Sequence, residues 1–211
     1  MKFREFGSRA KASEALAWTI AHALGAALDN GGRASFVASG GGSPRETYER
    51  LGRSAIDWRR VSVIPSDERL VPVGSPRHNL GMIRETLGTA AAFIELALET
   101  DIDALRPFDA ALFGMGDDGH TASLFPDDPE IDAALRSRGN THEARVPSLP
   151  EARISLTPRA LASARARCLL IFGAKKRELF AKACEAGPAS AYPVRVLLEG
   201  ASAELQVFWA A

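Results

Sequence analysis

Residues 108–120 have the sequence FDAALFGMGDDGH, in which a short apolar run breaks into a glycine-rich turn. The run from Phe108 to Phe113 has the length and composition of a buried β-strand. The three glycines that follow free the backbone to turn sharply, and the turn gathers two aspartates and a histidine. A strand that ends in a polar glycine loop is typical of a parallel sheet, whose ligands bind beyond the carboxyl ends of the strands.

Similar apolar runs alternate with longer amphipathic stretches along the rest of the chain. Leu16, Ile20, Leu24 and Leu28 recur every fourth residue and predict a helix over 9–29. The other predicted helices begin at Pro44 and Pro158 or span 80–87 and 175–186. The predicted strands are 34–38, 61–64, 93–96, 108–113, 153–157, 168–172 and 205–209. This alternation predicts an α/β fold, with a mostly parallel sheet flanked by helices, in a single domain over residues 1–211.

The composition is that of an ordinary globular protein. Of the 211 residues, 46% are hydrophobic and 25% are charged, and 26 basic residues balance 26 acidic ones. Balanced charge without a basic stripe gives no support for nucleic-acid binding. No apolar stretch has the length of a membrane span, and the N-terminus lacks the apolar core of a signal peptide. We therefore expect a cytoplasmic protein without a membrane partner, with two reduced cysteines, and compatible with a monomer.

Four polar clusters each follow a predicted strand directly: 39–44, 67–69, 114–120 and 173–176. The carboxyl ends of parallel strands lie along one edge of a sheet, so clusters far apart in sequence are expected to meet there. The sequence therefore predicts one active-site cleft at that edge. The polar segment 137–151, rich in Arg, Pro, Ser and Glu, is expected instead to form a mobile surface loop.

The segment 39–44, SGGGSP, has the features of a phosphate-binding loop. Its glycines let the backbone approach an anion, and the helix predicted from Pro44 offers free N–H groups and a positive dipole end. The segment matches neither a Walker A loop nor a dinucleotide fingerprint, and taken alone it is equally compatible with a tight turn. Two single basic residues beside later strands would neutralise a phosphate if the strand ends converge. The candidates for binding phosphate are Gly41, Gly42, Ser43, Arg153 and Lys176.

The triplet Asp67-Glu68-Arg69 places two carboxylates and a guanidinium after a strand. Such a triplet is often a solvated charge run. At the cleft, however, Arg69 would bind a substrate carboxylate or a carbonyl oxygen that gains negative charge. The following pair, His78-Asn79, is interpreted as the cap of the next helix, with Asn79 as the capping residue.

His120 is the candidate base of the cleft. Histidine titrates near neutrality and is therefore suited to take a proton from water. The nearer aspartate, Asp118, would fix the tautomer of the ring and stabilise its charged form. A single loop histidine is more often structural, but the glycines, the paired aspartates and the position after a strand favour catalysis here. His22 on a helix and His142 in the polar segment lack this context.

Other chemistries have weaker support in the sequence. Asp117, Asp118 and His120 are residue types that bind metals, but the His-x-x-x-His and Cys-x-x-Cys spacings of metal sites do not occur. The Gly-x-Ser-x-Gly elbow of many serine hydrolases does not occur either. We therefore expect no metal and no organic cofactor.

Taken in order, these motifs resemble those of the 6-phosphogluconolactonase family over nearly the whole chain. Residues 114–126, GMGDDGHTASLFP, are similar to that family's GxGxDGHTASLFP over thirteen positions. Residues 39–44 are similar to its SGGSTP loop, with Gly42 and Ser43 in place of Ser and Thr. The shorter segments 67–72, 153–157 and 173–176 resemble its DERxVP, RITLT and GxxK elements.

The resemblance implies a Rossmann-like fold shared with glucosamine-6-phosphate deaminases. It also implies hydrolysis of 6-phosphoglucono-δ-lactone to 6-phosphogluconate in the oxidative pentose phosphate pathway, with this small sugar-phosphate lactone as the ligand. His120 would activate water at the C1 carbonyl, Asp118 would orient it, and Arg69 would stabilise the oxyanion or position the ring. Asp67 matches the base of the deaminases; in a lactonase it would hold Arg69 or a substrate hydroxyl. The chain departs from the family at His78, where Ser is common, and the role of that turn stays open.

Two alternatives remain. Deaminases continue from the histidine motif to Asn-Glu-Pro, whose Glu assists the ring-opening histidine, whereas residues 124–126 here are LFP. The missing carboxylate argues against deamination, which an assay of ammonia release would detect. The second alternative is a non-catalytic sugar-phosphate sensor domain of a regulator. The absence of room for a helix-turn-helix module before the first predicted strand argues against a DNA-bound regulator, and binding of 6-phosphogluconate without turnover would favour it.

Overall fold

The computed structural model describes residues 1–72, 74–199 and 203–211. Its strands are β1 (Lys2–Phe6), β2 (Ala34–Ala38), β3 (Val61–Pro65), β4 (Asp67–Arg69), β5 (Ala92–Phe93), β6 (Ala110–Phe113), β7 (Thr141–Ala144), β8 (Arg153–Leu156), β9 (Ala166–Phe172) and β10 (Leu205–Ala210). Its helices are α1 (Arg9–Gly31), α2 (Arg45–Gly52), α3 (Asn79–Leu87), α4 (Ile131–Arg136), α5 (Pro158–Leu161) and α6 (Ala174–Ala183), with short 3₁₀ turns at Trp58–Arg60, Asp103–Leu105 and Pro193–Leu197.

The main sheet has seven strands in the order β1-β10-β9-β6-β2-β3-β5. Every neighbouring pair in it is parallel, which confirms the expected α/β class. The chain moves outward from β2 to β3 and β5, and then from β6 to β9 and β10 on the other side. The strand order therefore reverses between β2 and β6. At such a reversal the loops that follow the two strands diverge and leave a crevice for a ligand.

Two apolar clusters cover the faces of this sheet. Successive residues of a strand point to opposite faces, so Phe36 belongs to one cluster and Val37 to the other. The predicted apolar face of α1 is buried in the cluster that contains Phe36, which confirms that helix. The helix begins after the cap Ser8, and Gly32 ends it in the left-handed conformation at φ 75°. No helix in the described ranges is both long and apolar enough to cross a membrane.

A second, three-stranded sheet lies beside the main one in the order β4-β8-β7, with antiparallel pairing throughout. The triplet 67–69, expected as a polar cluster after β3, forms β4 of this sheet. The prediction of a mobile loop over 137–151 is wrong in part, because β7 lies within that segment and pairs with β8. Three of its four side chains stay partly exposed, and this explains why the segment has the composition of a loop.

The remaining differences occur where the apolar signal is weak. β1 was not expected; it is an edge strand whose side chains are mostly exposed, and it pairs along its length with β10. The strand expected over 93–96 is reduced to Ala92–Phe93, which pairs with two residues of β3. The six-residue α4 was also not expected, and only Ile131 and Ala134 of it are buried.

Candidate active site

A cleft of about 270 Å³ opens at the carboxyl edge of the main sheet, between the loops after β2 and β6. The two loops are in close contact only where they leave the sheet, since a Cβ atom placed on Gly114 would lie 3.1 Å from Ser39 Oγ. All four polar clusters contribute to the cleft, which confirms the expected convergence. The candidate residues that line it are Gly41, Gly42, Ser43, Asp67, Arg69, His120, Arg153 and Lys176, and Asp118 lies behind His120.

The glycine-rich loop is fixed at residues 39–40 and exposed at residues 41–43. Tyr48 of α2 donates its hydroxyl to Ser39 O at 2.7 Å, and burial raises the pKa of this phenol well above its usual value. A Cβ atom on Gly40 would lie 2.4 Å from Asn79 Oδ1, so only glycine fits there. Gly41 has a φ of 89°, and residues 41–43 are exposed. Within the described residues no acceptor bonds the N–H groups of 41–43, and these groups are therefore available to an anion.

Asp67 is buried with both carboxylate oxygens bonded. Ser66 Oγ donates to Oδ1 at 2.9 Å, and Ser123 Oγ donates to Oδ2 at 2.6 Å. The nearest guanidinium is that of Arg153, whose NH1 lies 4.0 Å from Oδ2. No ion pair within 4.0 Å joins Asp67 to Arg69 among the described residues, so the structure pairs this carboxylate with Arg153 instead. The two hydroxyls fix the orientation of the carboxylate.

Arg69 and Arg153 form one wall of the cleft. They are directly opposite each other in the β4–β8 pair, so their side chains share a face of the small sheet. Burial lowers the pKa of Arg153; Asp67 acts in the opposite direction, and Arg69 lowers the pKa further. In the described part of the chain, the Nε of each arginine is buried without a hydrogen-bond partner. Both side chains line the cleft, where a guanidinium can donate to an anion.

Glu68 lies between the cleft residues Asp67 and Arg69 in sequence, but its carboxylate binds the backbone instead of lining the cleft. Its carboxylate accepts the backbone N–H groups of Arg69 and Asn79 at 2.7 Å and of Leu80 at 2.8 Å. Burial raises its pKa, which these three N–H groups and the charge of His78 partly offset. Glu68 therefore fixes the start of α3 against β4.

The interpretation of His78-Asn79 as a helix cap is right for the pair, but Asn79 is not the capping residue. His78 is the cap, because its Nδ1 accepts the N–H of Gly81 at 3.3 Å. Asn79 is the first residue of α3, and its side chain donates to Asp67 O at 2.8 Å and lines the cleft. It was missed because a helix-capping amide and a cleft amide look alike in sequence.

His120 is held by Asp118 on one side and open to the cleft on the other. Its Nδ1 lies 2.6 Å from Asp118 Oδ1, which also accepts the His120 N–H at 3.0 Å. Burial would raise the pKa of Asp118, but the hydrogen bond, charge and backbone N–H of His120 outweigh it and leave that pKa below its usual value. No hydrogen bond joins His120 Nε2 to another described residue. Nε2 is therefore the nitrogen available to a molecule in the cleft.

The turn that carries His120 requires glycine for steric reasons. A Cβ atom on Gly116 would lie 2.1 Å from His120 Cε1, and one on Gly119, whose φ is 87°, would lie 2.8 Å from Tyr192 Cδ1. Lys176 of α6 reaches the same turn, where it donates to Met115 O and its Nζ lies 3.8 Å from Asp117 Oδ1. The cation is therefore located between the turn and the cleft.

Two further residues near the site were not identified from sequence. Ser123 bonds Asp67, and the ring of Phe125 contacts His120. Both lie within five positions of His120 in the same motif, and this proximity was the available signal. In residues 1–72, 74–199 and 203–211, no group of three or more His, Cys, Asp and Glu side chains is arranged to hold a metal ion.

Comparisons with known proteins show which proteins this chain is similar to. A 6-phosphogluconolactonase from Pseudomonas aeruginosa is 35% identical over 97% of this chain and 92% of its own length. The crystal structure of a 6-phosphogluconolactonase from Shewanella baltica superposes with a TM-score of 0.94 at 31% identity, over 100% of this chain and 98% of that one. A monomeric glucosamine-6-phosphate deaminase shares the fold, with a TM-score of 0.81 at 19% identity over 100% and 97% of the two chains.

The family model described as glucosamine-6-phosphate isomerases/6-phosphogluconolactonase matches residues 7–209. The chain therefore belongs to the glucosamine-6-phosphate isomerase/6-phosphogluconolactonase family.

Proposed function

We propose that this chain hydrolyses 6-phosphoglucono-δ-lactone to 6-phosphogluconate, the lactonase step of the oxidative pentose phosphate pathway. The observation that carries the proposal is the arrangement of the two His120 nitrogens. Nδ1 is hydrogen-bonded to Asp118, and Nε2 is open to a cleft lined by two arginines. Relatives named 6-phosphogluconolactonase align over nearly the whole chain and support it.

His120 acts as the general base and then as the general acid. Nε2 takes a proton from water while the water oxygen forms a bond to C1 and the carbonyl electrons move to its oxygen. When this oxyanion collapses, the bond from C1 to the ring oxygen breaks, and the imidazolium returns its proton to the departing oxygen. The resulting carboxylic acid loses its proton to solvent. Asp118 holds the tautomer that keeps Nε2 free, and Arg69 stabilises the oxyanion or positions the ring.

The phosphate is assigned to the remaining cations and the glycine loop. The free N–H groups of 41–43 at the start of α2, with Lys176 and Arg153, supply donors and positive charge for a dianion. Asp67 is assigned a supporting role, because Ser66 and Ser123 fix its carboxylate beside Arg153. It orients that arginine or accepts a substrate hydroxyl. The single domain over 1–211 and the cytoplasmic location expected from the sequence stay predictions, and the sequence leaves the oligomeric state open.

The test is a direct assay of the purified chain. Consumption of fresh 6-phosphoglucono-δ-lactone is expected to exceed its spontaneous hydrolysis, and ammonia release from glucosamine 6-phosphate is expected to stay at background. Ammonia release with no lactonase activity would assign the deaminase reaction instead. Binding of 6-phosphogluconate without turnover of either substrate would assign a sensor.

A further inference from the structure

Phe125 connects the two sheets at the cleft. Its ring centroid lies 4.4 Å from that of His120, with the two planes tilted by 47°. The same ring lies 5.9 Å from Cζ of Arg153. His120 follows β6 of the main sheet, whereas Arg153 belongs to β8 of the small sheet. One aromatic ring therefore contacts a cleft residue from each of the two sheets.

The position of this ring is set by the small sheet. Phe125 is only 6% exposed and packs with Ala144 and Val146, with Leu149 against them. This group is separate from the two apolar clusters that cover the main sheet. Because it includes the end of β7 and the segment after it, the place of the Phe125 ring depends on the pairing of β7 with β8.

The Asp118 hydrogen bond alone does not fix the His120 ring. A hydrogen bond to Nδ1 positions one corner of the imidazole but leaves the ring free to tilt about that contact. An aromatic ring packed against the imidazole restricts that tilt even when the two planes are not parallel. Phe125 makes such a tilted contact with His120, and because Nδ1 is held by Asp118, the two contacts together determine the direction of Nε2.

We propose that Phe125 is a positioning residue for the reaction: its ring sets the plane of His120 and ties the base to Arg153 across the two sheets. The proposal rests on the proposed lactonase activity. It implies that the flat ring, and not only its apolar volume, is needed for turnover, because small misplacements of a catalytic group lower the rate strongly.

The experiment compares the same substitution at two buried phenylalanines. Phe125→Leu keeps an apolar side chain but removes the flat ring from His120. Phe208→Leu is the matched control, because Phe208 is fully buried on β10 and packs on Phe6. Among the described residues, its ring makes no aromatic or cation–π contact with His120 or Arg153, whereas the Phe125 ring contacts both. We expect kcat of F125L to fall about tenfold or more, with a smaller change in KM, while kcat of F208L stays within about twofold of wild type.

A second readout does not depend on turnover. The order parameter of the His120 imidazole Cε1–H bond, measured by NMR, is expected to fall in F125L and to stay unchanged in F208L. If F125L does not fold, Phe125→Met replaces it, because methionine fills irregular space without a flat face. The same changes in kcat and in the order parameter are expected for F125M.

The outcomes separate the two proposals. Wild-type protein without lactonase activity would contradict the proposed function, and the order parameter would still decide whether Phe125 holds the ring. Active wild-type protein with kcat of F125L or F125M within about twofold would overturn the positioning role alone. An unchanged order parameter in either variant would overturn it as well.

Discussion

Two histidine–aspartate pairs in the described chain have similar distances but different surroundings. His120 Nδ1 lies 2.6 Å from Asp118 Oδ1, and His142 Nε2 lies 2.9 Å from Asp128 Oδ2. The side chains of the first pair are 29% and 43% exposed, and His120 lines the cleft. The side chains of the second pair are 14% and 1% exposed, and Asp128 also accepts the N–H of Glu130.

A histidine–aspartate pair is therefore not enough by itself to mark a candidate base. His142 connects β7 to the segment before α4, and it does not line the cleft that contains His120. His120 has its second nitrogen facing a cleft that also contains cations and free backbone donors. The function of a histidine–aspartate pair therefore depends on what the second nitrogen faces, and the two pairs serve as controls for each other.

The largest expected difference is in turnover after removal of each imidazole. His120→Ala is expected to lower kcat/KM for the lactone about a hundredfold or more, because the general base is lost. His142→Ala is expected to keep kcat/KM within about threefold, provided that the assay temperature lies below its unfolding transition. Steady-state kinetics corrected for spontaneous hydrolysis measure both. Equal losses in the two variants would remove the distinction between the pairs.

Substitution of the two aspartates should change kcat in the same order as substitution of the histidines, but by a smaller factor. Asp118→Asn is expected to lower kcat about tenfold or more, because an amide no longer selects the tautomer with a free Nε2. Asp128→Asn is expected to leave kcat nearly unchanged. The double variant H120A/D118N should be no slower than H120A, since Asp118 acts through His120. An additive loss in the double variant would assign Asp118 a separate role.

Stability should show the reverse order. His142→Ala leaves the Asp128 carboxylate buried with one partner fewer, and we expect the free energy of unfolding to fall by about 1–3 kcal/mol. His120→Ala removes a more exposed side chain and should lower it by less than about 1 kcal/mol. Urea titrations of both variants provide the comparison. A larger loss for H120A would show that the catalytic turn is the more important structural element.

The smallest expected effect is on the pH dependence of stability. The pKa of Asp118 is lower in the folded protein than its usual value of 3.8, so its ionised form favours folding. This contribution is fully present above the unfolded pKa and is lost as the pH falls through the folded pKa. The difference in stability between wild type and D118N should therefore shrink as the pH is lowered from about 6 to about 3. It should also weaken in high salt, because the group is partly exposed. If the stability difference between wild type and D118N grew as the pH fell, the pKa of Asp118 could not be lowered by folding.

The main sheet and the cleft are predictable because they depend on local patterns. Apolar runs of strand length end in polar glycine loops at 39–44 and 114–120, and parallel strands bring such loops to one edge. The sequence also distinguishes the two histidines, because His120 follows a strand in a glycine-rich turn with two aspartates, whereas His142 lies in a polar segment without these features. The roles assigned to these cleft residues stay predictions, and the experiments above test them.

The small sheet could not be predicted because its pairing is long-range. Arg69 opposes Arg153 across more than eighty residues of chain, and no local pattern encodes that register. Polar edge strands such as β7 also lack the apolar alternation that marks a half-buried strand. The contact between Asp67 of this sheet and Ser123 was therefore missed with it.

A crystal structure with bound 6-phosphogluconate tests most directly whether His120 is the base that activates water. We expect a C1 carboxylate oxygen within hydrogen-bond distance of His120 Nε2, and the phosphate against the N–H groups of 41–43 with Lys176 and Arg153 nearby. His142 should not contact the ligand. A phosphate bound at His120, or a C1 carboxylate more than about 5 Å from Nε2, would contradict the assignment of His120 as the base that activates water.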